Sequence, residues 1–390
     1  MMDTLSEEQS VLAYLDGQRG PMLGLLRDLV DIDSPSRNKA GVDAVGARLV
    51  AFLRHAGIAE DMVPNDVFGS AFAARLPGRS DRGHVLLMGH MDTVFPVGEA
   101  ARRPFRVEGG RAYGPGVADM KGGLVVNAFA MAALARHFTA LCPIIGLFTA
   151  DEEIASPSSR ALIERQAMGA RAVFNSEPGR ANGNVVVARK GGVFMRFDVR
   201  GKASHSGAAF SDGISAVEEV AHKVIALHAL TNLDDGVTVN VGVIGGGQTL
   251  NTVAPAAFGE LDLRYVRSSD RDKLLAAIRG IIDTSWVPGA SAELLVTGEF
   301  LPLGRTQAGD ALYELYKASA ADVGHHIGAE STGGCADSGY AAATGAPTLC
   351  GTGPLGGNVH TAAEYIDIET LVPRAKALAL SIMRSMISAP

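Results

Sequence analysis

HVLLMGHMDTVFPVG, residues 84–98, is the stretch on which the reading of this chain turns. Its first six residues are an apolar run with Arg-Gly before it and His-Met-Asp after it. A run this short, apolar on both faces, predicts a fully buried strand. Similar runs follow at PIIGLFTA (143–150), RAVFNS (171–176) and APTLCG (346–351). Helical spacing of apolar residues fills the intervals at 120–138, 157–168 and 310–323, and also covers 6–30 and 41–56. Buried strands alternating with helices predict an α/β fold, a mostly parallel sheet with flanking helices.

The rhythm changes between residues 188 and 300. GVFMRFDVRG (192–201) alternates with period two, as a half-buried strand does. DGISAVEEVAHKVIALHAL (212–230) reads as an amphipathic helix, and VTVNVGVIGGG (237–247) and AAFGELDLRYV (256–266) as paired strands. SSDRDKLLAAIRGII (268–282) reads as a helix capped by serine, and SAELLVTGE (291–299) as a last strand. The order β-α-β-β-α-β predicts a small α+β domain inserted at 188–300, with 1–187 and 301–390 forming the larger domain.

Composition narrows the function classes. The 390 residues carry a formal net charge of -7, which disfavours nucleic acid as a partner. No apolar run is read as long enough to span a membrane, and the acidic start MMDTLSEEQSVLAYL lacks a signal peptide's basic region. A cytoplasmic location without membrane or nucleic-acid partners is the expectation. Cys142, Cys335 and Cys350 show no ligand spacing and read as small buried side chains.

Ligands of open α/β sheets bind beyond the carboxyl ends of the strands. Metal-type residues gather there in this chain. His90 and Asp92 follow the first strand, Glu152 and Glu153 the second, Glu177 the third, and His360 lies in the loop after the fourth. Asp119 sits in the glycine-rich turn GPGVADMKGG (114–123) ahead of a helix. Imidazole and carboxylate together suit zinc, with cobalt or manganese as alternatives, and a carboxylate can bridge two ions. Asp92 is placed to orient His90, and of the adjacent Glu152 and Glu153 one can ligate while the other moves a proton.

Together GHMDTVFPVG, GPGVADMKGG, FTADEE, NSEP, GKASHSG and NVHTAAEYI resemble the M20 metallopeptidase family over nearly the whole chain. The resemblance implies a zinc-exopeptidase-like catalytic domain with a lid and dimerisation domain, two divalent ions per subunit, and a homodimer. By position it implies that His90 and Glu177 bind one ion, that Glu153 and His360 bind the other, and that Asp119 bridges them. Glu152 is then the general base and Asp92 the partner of His90. His205 in GKASHSG (201–207) resembles a lid histidine that reaches a neighbouring subunit's site. Asn251 and Arg264 in QTLNTVAPAAFGELDLRY (248–265) resemble lid residues that hold a substrate carboxylate.

The expected reaction is hydrolysis of the amide of an N-acyl or N-blocked amino acid or peptide-like substrate. Glu177, rather than Asp, as the fifth ligand leans toward the carboxypeptidase, aminoacylase and deacylase branches. DTVFPVG and GGCADSGYAAATGAP look closest to glutamate carboxypeptidases. VTGEFLPLGRT (296–306) departs from that branch, offering no arginine before Arg305, so acetylornithine deacetylase-like, succinyl-diaminopimelate desuccinylase-like and aspartate-conjugate hydrolysis stay open. A non-catalytic ligand-binding homologue is a rival from another class. So is a nucleotide-dependent oxidoreductase built on GTGPLG (351–356), although no helix is expected to open there. Arg189 and Lys190, near the hinge, read as solvated.

Overall fold

A computed structural model describes residues 2–80 and 83–387. The chain divides into two compact units. The first runs through Ala188, resumes over Arg305–Thr332 and continues from Ala336; the second comprises Arg189–Gly304 and Gly333–Cys335. The short 333–335 segment, which from sequence alone falls in the outer domain, groups with the inserted one.

The first unit is built on an eight-stranded sheet. At its centre lie Ile144–Thr149, His84–His90, Ala170–Asn175 and Thr348–Cys350, side by side and mutually parallel. These are the four apolar runs. Their burial is nearly complete because helices flank the sheet, and 15 of the 22 residues of Gly122–His137 and Ile144–Thr149 are Val, Ile, Leu, Phe, Met or Ala. Ala71–Leu76 extends the sheet antiparallel to Ile144–Thr149, with Ala59–Val63 antiparallel to it in turn, and Val185–Arg189 lies antiparallel to Thr348–Cys350 with Ala329–Thr332 beyond it. Register aligns the carboxyl ends of the parallel strands. His90 pairs with Thr149, and Asn175 pairs with both Met88 and Cys350.

Helix Gly122–His137 is apolar on every side and buried along almost its whole length, as such a helix must be. The helical run Val117–His137 is long and apolar enough to cross a membrane, contrary to the expectation from sequence, but 94% of its apolar window is buried inside the protein. It serves as a core helix. Its first turn passes so close to the Glu177 loop that a Cβ on Gly123 would lie 1.8 Å from the Ser176 carbonyl oxygen. Only glycine fits there.

A small sheet, Gly356–Gly357, Tyr365–Asp367, Arg111–Tyr113 and Arg106–Glu108, ties the late chain to the segment ahead of Asp119. The N-terminal helical pattern is two helices, Met2–Asp16 and Arg19–Val30, broken at Gly17 and Gln18.

The second unit is a four-stranded antiparallel sheet ordered Thr238–Gly246, Ala256–Tyr265, Gly191–Arg200, Ser291–Phe300. Val193, Met195, Phe197 and Val199 enter its apolar core with residues of the two helices. Ser215 caps Ala216–His228 by accepting from the Glu218 N–H. The serine cap expected for the second helix, Arg271–Asp283, is absent. Ser268–Asp270 forms a 3-10 turn and no side chain caps the helix; Asp270 turns to Arg267 instead. Arg189 and Lys190 are not solvated. Arg189 donates to the Gly334 and Cys335 carbonyls at 3.3 and 3.1 Å, and Lys190 to the Gly236 carbonyl at 2.6 Å.

Candidate active site

The aligned strand ends bring His90, Asp119, Glu152, Glu153, Glu177 and His360 into one cluster. His90 is the last residue of its strand, Glu152 and Glu153 open a 3-10 turn three residues beyond Thr149, and Glu177 lies two residues beyond Asn175. Two groups emerge, His90–Asp119–Glu177 and Asp119–Glu153–His360, each with its ligand atoms within 4.8 Å of one another. Asp119 belongs to both. Its Oδ1 lies 3.2 Å from His90 Nε2 and its Oδ2 lies 3.2 Å from His360 Nε2. His360 Nε2 is also 3.5 Å from Glu153 Oε2, and His90 Nε2 is 3.8 Å from Glu177 Oε1. Two ligands about 2.0–2.1 Å from a tetrahedral ion stand about 3.3 Å apart, so these separations fit a pair of zinc-sized ions sharing one carboxylate.

The electrostatics point the same way. Burial pushes the carboxyls of Glu152 and Glu153 well above the usual range; His90 opposes this in both, while neighbouring carboxylates add to it. Burial works against a charged His90, yet hydrogen bonds to Asp119 and Asp92 hold its pKa well above the ordinary value. Burial would likewise raise Asp119, but His360 and His90 hold it below the usual carboxylate range. A divalent cation replaces the protons that such a cluster otherwise needs, because ligating carboxylates are ionised and ligating imidazoles neutral. Glu153 Oε1 is buried with no hydrogen-bond partner among the described residues, an orphan acceptor that a cation would satisfy. The donor set therefore fits two divalent ions.

Around the ligands lies a supporting layer. His90 Nδ1 is 3.0 Å from the Asp92 carbonyl oxygen and 3.3 Å from Asp92 Oδ1, so Asp92 orients the ring through both main chain and side chain. Fully buried Asp92 also accepts from Ser36 Oγ at 2.6 Å and from the Glu152 and Glu153 N–H groups at 3.1 Å each. One aspartate thus holds two candidate ligands, His90 and Glu153, that lie at or beyond the ends of different strands. Glu152 Oε2 stands 4.0 Å from His90 Nε2 and belongs to neither ligand group.

Glu364 escapes the sequence reading. Its fully buried carboxylate accepts from the N–H groups of Gly116, Ala118 and Asp119 at 3.0, 2.8 and 2.9 Å. The one available signal was its place in NVHTAAEYI, four residues after His360. Asp337 was also missed; it is buried and accepts from Ser156 Oγ beside this cluster, and burial pushes its carboxyl up to about 7.

GTGPLG is no nucleotide loop. No helix opens after it; the chain enters the short strand Gly356–Gly357. Its glycines are explained by crowding. Gly353 donates to the Glu177 carbonyl at 3.0 Å, and a Cβ there would lie 2.5 Å from the Ser176 oxygen.

The other three expected site residues lie in the second unit. His205 is exposed, and its Nδ1 accepts from the Gly207 and Ala208 N–H groups at 3.1 Å each. Its proton therefore resides on Nε2. Asn251 is exposed and its Oδ1 accepts from Thr249 Oγ1 at 3.0 Å. Arg264 grips Asp262 with Nε and Nη2 at 2.7 and 2.8 Å and places Nη1 2.6 Å from Cys335 Sγ. Cys335 is thus a partner of arginine, unlike the fully packed Cys142 and Cys350.

Comparison with known proteins gives the family. The model of peptidase family M20/M25/M40 matches residues 86–384. Carboxypeptidase G2 of Pseudomonas sp. (strain RS-16) is 31% identical over 364 residues, 92% of this chain and 88% of that protein. Acetylornithine deacetylase of Erwinia tasmaniensis is 28% identical over 304 residues, 71% of this chain and 76% of that one. Among solved structures, an M20 metallo-carboxypeptidase of Sulfolobus solfataricus shares the fold with a TM-score of 0.79 at 18% identity, over 94% of this chain and 99% of that one. A dinuclear metal-binding M20 peptidase of Bacillus subtilis does so with a TM-score of 0.69 at 16% identity, over 96% and 100%. The chain belongs to peptidase family M20/M25/M40 and is a metal-dependent hydrolase.

Proposed function

We propose that this hydrolase uses two divalent ions to cleave the amide of an N-acyl or N-blocked amino acid, in the manner of a glutamate carboxypeptidase. The observation that carries the reading is the arrangement around Asp119. Two three-residue ligand groups share this carboxylate, while Glu152 stands beside them unengaged by either. His90 and Glu177 would hold one ion, Glu153 and His360 the other. Zinc suits the mixed imidazole and carboxylate set, with cobalt or manganese as substitutes. Bound ions would supply Lewis acidity to the amide carbonyl and acidify water at the site.

The chain's own groups do the rest. Burial keeps the Glu152 carboxylate basic enough to take a proton from water as its oxygen bonds to the carbonyl carbon. Glu152 then returns that proton to the amide nitrogen as the C–N bond breaks. No covalent intermediate with the protein is required. In this reading, His205 Nε2–H donates to the developing oxyanion, and its Nδ1 contacts support that tautomer. Arg264 and Asn251 receive the free carboxylate of the amino acid, in competition with Asp262 for the guanidinium.

We further propose a homodimer formed through the second unit. Its edge strand Thr238–Gly246 exposes Val243 and Ile244, and helix Ala216–His228 exposes Val217 and Ile225. Thr231 and His228 already engage this edge at Val239 and Val241, so the surface that suits pairing with a second copy is the apolar 243–244 stretch with the exposed helix residues.

The similarity to carboxypeptidase G2 extends over more of the chain than that to acetylornithine deacetylase, which favours a carboxypeptidase over a deacetylase; the preference for glutamate conjugates rests on the resemblance of DTVFPVG and GGCADSGYAAATGAP. The test is a hydrolysis screen of N-acyl glutamates, N-acyl aspartates, N-acetylornithine and N-succinyl-diaminopimelate with zinc, cobalt or manganese, read by release of free amino acid. Fastest release from N-acyl glutamates supports the reading. Release confined to N-acetylornithine would move the chain to the deacetylase branch.

A further inference from the structure

The geometry points to Glu364 as a positioning residue that binds the two loops of the second ion site into one unit; this role rests on the two-ion reading above. His360 needs such an anchor. Its side chain is 52% exposed, while those of Glu153 and Asp119 are 7% and 15% exposed. It also sits at φ +62 in a turn where Asn358 has φ +54, a conformation uncommon outside glycine and held only by surrounding contacts. The turn is laced internally by Thr361 Oγ1 to the Asn358 carbonyl at 2.7 Å and by Asn358 Nδ2 to the Ala363 carbonyl at 3.3 Å. On one side Arg103, clamped by Glu99, donates to the Ala362 carbonyl at 2.9 Å.

Glu364 closes the other side. The small sheet pairs Tyr365 with both Gly357 and Tyr113. That register puts the residue before Tyr365 against the segment after Tyr113, which is the loop carrying Asp119. Glu364 Oε1 accepts from the Ala118 and Asp119 N–H groups, and Oε2 from the Gly116 N–H. One buried carboxylate therefore fixes the backbone of the bridging ligand four residues from the exposed ligand. Its hydrogen bonds go to main-chain N–H groups, so Glu364 acts through where Asp119 and His360 are held. Residues that hold metal ligands in this way are worth about 10–100-fold in metal affinity.

The test uses Glu364→Gln and Glu364→Ala, stripped of metal and titrated with zinc alone while bound ions are counted. Gln can keep the two bonds at Oε1 but offers a donor to the Gly116 N–H; Ala leaves all three donors unpaired. We expect the second ion to bind about 10–100-fold more weakly in the Gln variant, and more weakly still in Ala; the first ion shares Asp119 but keeps His90 and Glu177, and should weaken less. At zinc levels that fill only the first site, kcat should fall with KM little changed, and excess zinc should restore kcat in the Gln variant. A role confined to stability would lower the melting temperature and leave the second isotherm unmoved. A folded Gln variant that binds two ions with wild-type affinity overturns the proposal, and so does a wild type that holds only one. A second measurement avoids variants altogether. In metal-stripped wild type, the amides of 116–119 should be protected from hydrogen exchange, and exchange as fast as in an open loop overturns the role even if no variant folds. Loss of the second ion in the variants, with no hydrolysis of N-acyl amino acids by the wild type, would uphold Glu364 and remove only the substrate reading.

Discussion

Glu152 and Glu153 are neighbours in sequence with different surroundings, and their separation is the test of the chemistry. Glu153 reaches toward His360 and Asp119, whereas Glu152 faces His90 from outside both ligand groups. Glu152→Gln should keep both ions and reduce kcat about 100- to 10,000-fold, the usual effect of losing a positioned base. Metal content and turnover measured on the same preparation check this; near-normal turnover would remove Glu152 from the mechanism. Arg264→Lys loses the planar fork that now grips Asp262, and should impair kcat/KM for N-acyl amino acids far more than for their carboxamides. Equal losses on both substrates would assign the carboxylate to another anchor. At this scale the sequence shows side chains whose type announces chemistry, which is why His90, Asp119, Glu153, Glu177 and His360 could be named before their distances were known. It does not show a carboxylate whose work is to accept from backbone N–H groups, as that of Glu364 does, or from buried hydroxyls, as that of Asp337 does. Glu364 and Asp337 look like any acid in a loop, and Arg264 shows no sign of its partner Cys335.

Elements were legible in proportion to how uniformly their surroundings select residues. The four parallel strands are buried on both faces and read as apolar runs. Their antiparallel neighbours Ala59–Val63 and Ala71–Leu76 went unread, since AEDMV is mostly exposed and AFAARL is short and alanine-rich. GTGPLG shows the reverse error of pattern, glycines required by close packing against the Glu177 loop rather than by a phosphate. Within helix Ala216–His228 the sequence also hid an ion pair. Glu219 and Lys223, each 1% exposed, lie 2.8 Å apart. Glu219 accepts from the Trp286 and Val287 N–H groups, and Lys223 donates to the Ile282 and Thr284 carbonyls at 2.8 and 2.6 Å, just where helix Arg271–Asp283 ends. Removing one partner leaves an uncompensated buried charge, so Glu219→Ala should lower the stability of the second unit by about 3–5 kcal/mol. Urea denaturation followed by Trp286 fluorescence, the only tryptophan in the chain, measures this. A change under about 1 kcal/mol, the scale of an exposed pair, would show that the charges are solvated.

For the whole molecule, the sheet-based unit carries the ligand cluster and the smaller unit carries His205, and the role proposed for His205 can be tested between chains. If it acts across a dimer, mixing His205→Ala chains with Glu152→Gln chains, each inactive alone, creates one site with neither defect. Activity should then partly return after subunit exchange; mixed dimers that stay inactive would confine His205 to its own chain or to no catalytic role. The central claim is simpler and can be tested on one protein, that two ions sharing Asp119 are required for amide hydrolysis. The measurement is zinc titration of the metal-stripped chain while release of free glutamate from an N-acyl glutamate is followed. Hydrolysis should be absent at the start and should reach its plateau at two equivalents of zinc per chain. A plateau at one equivalent, or hydrolysis that survives stripping, would contradict the account.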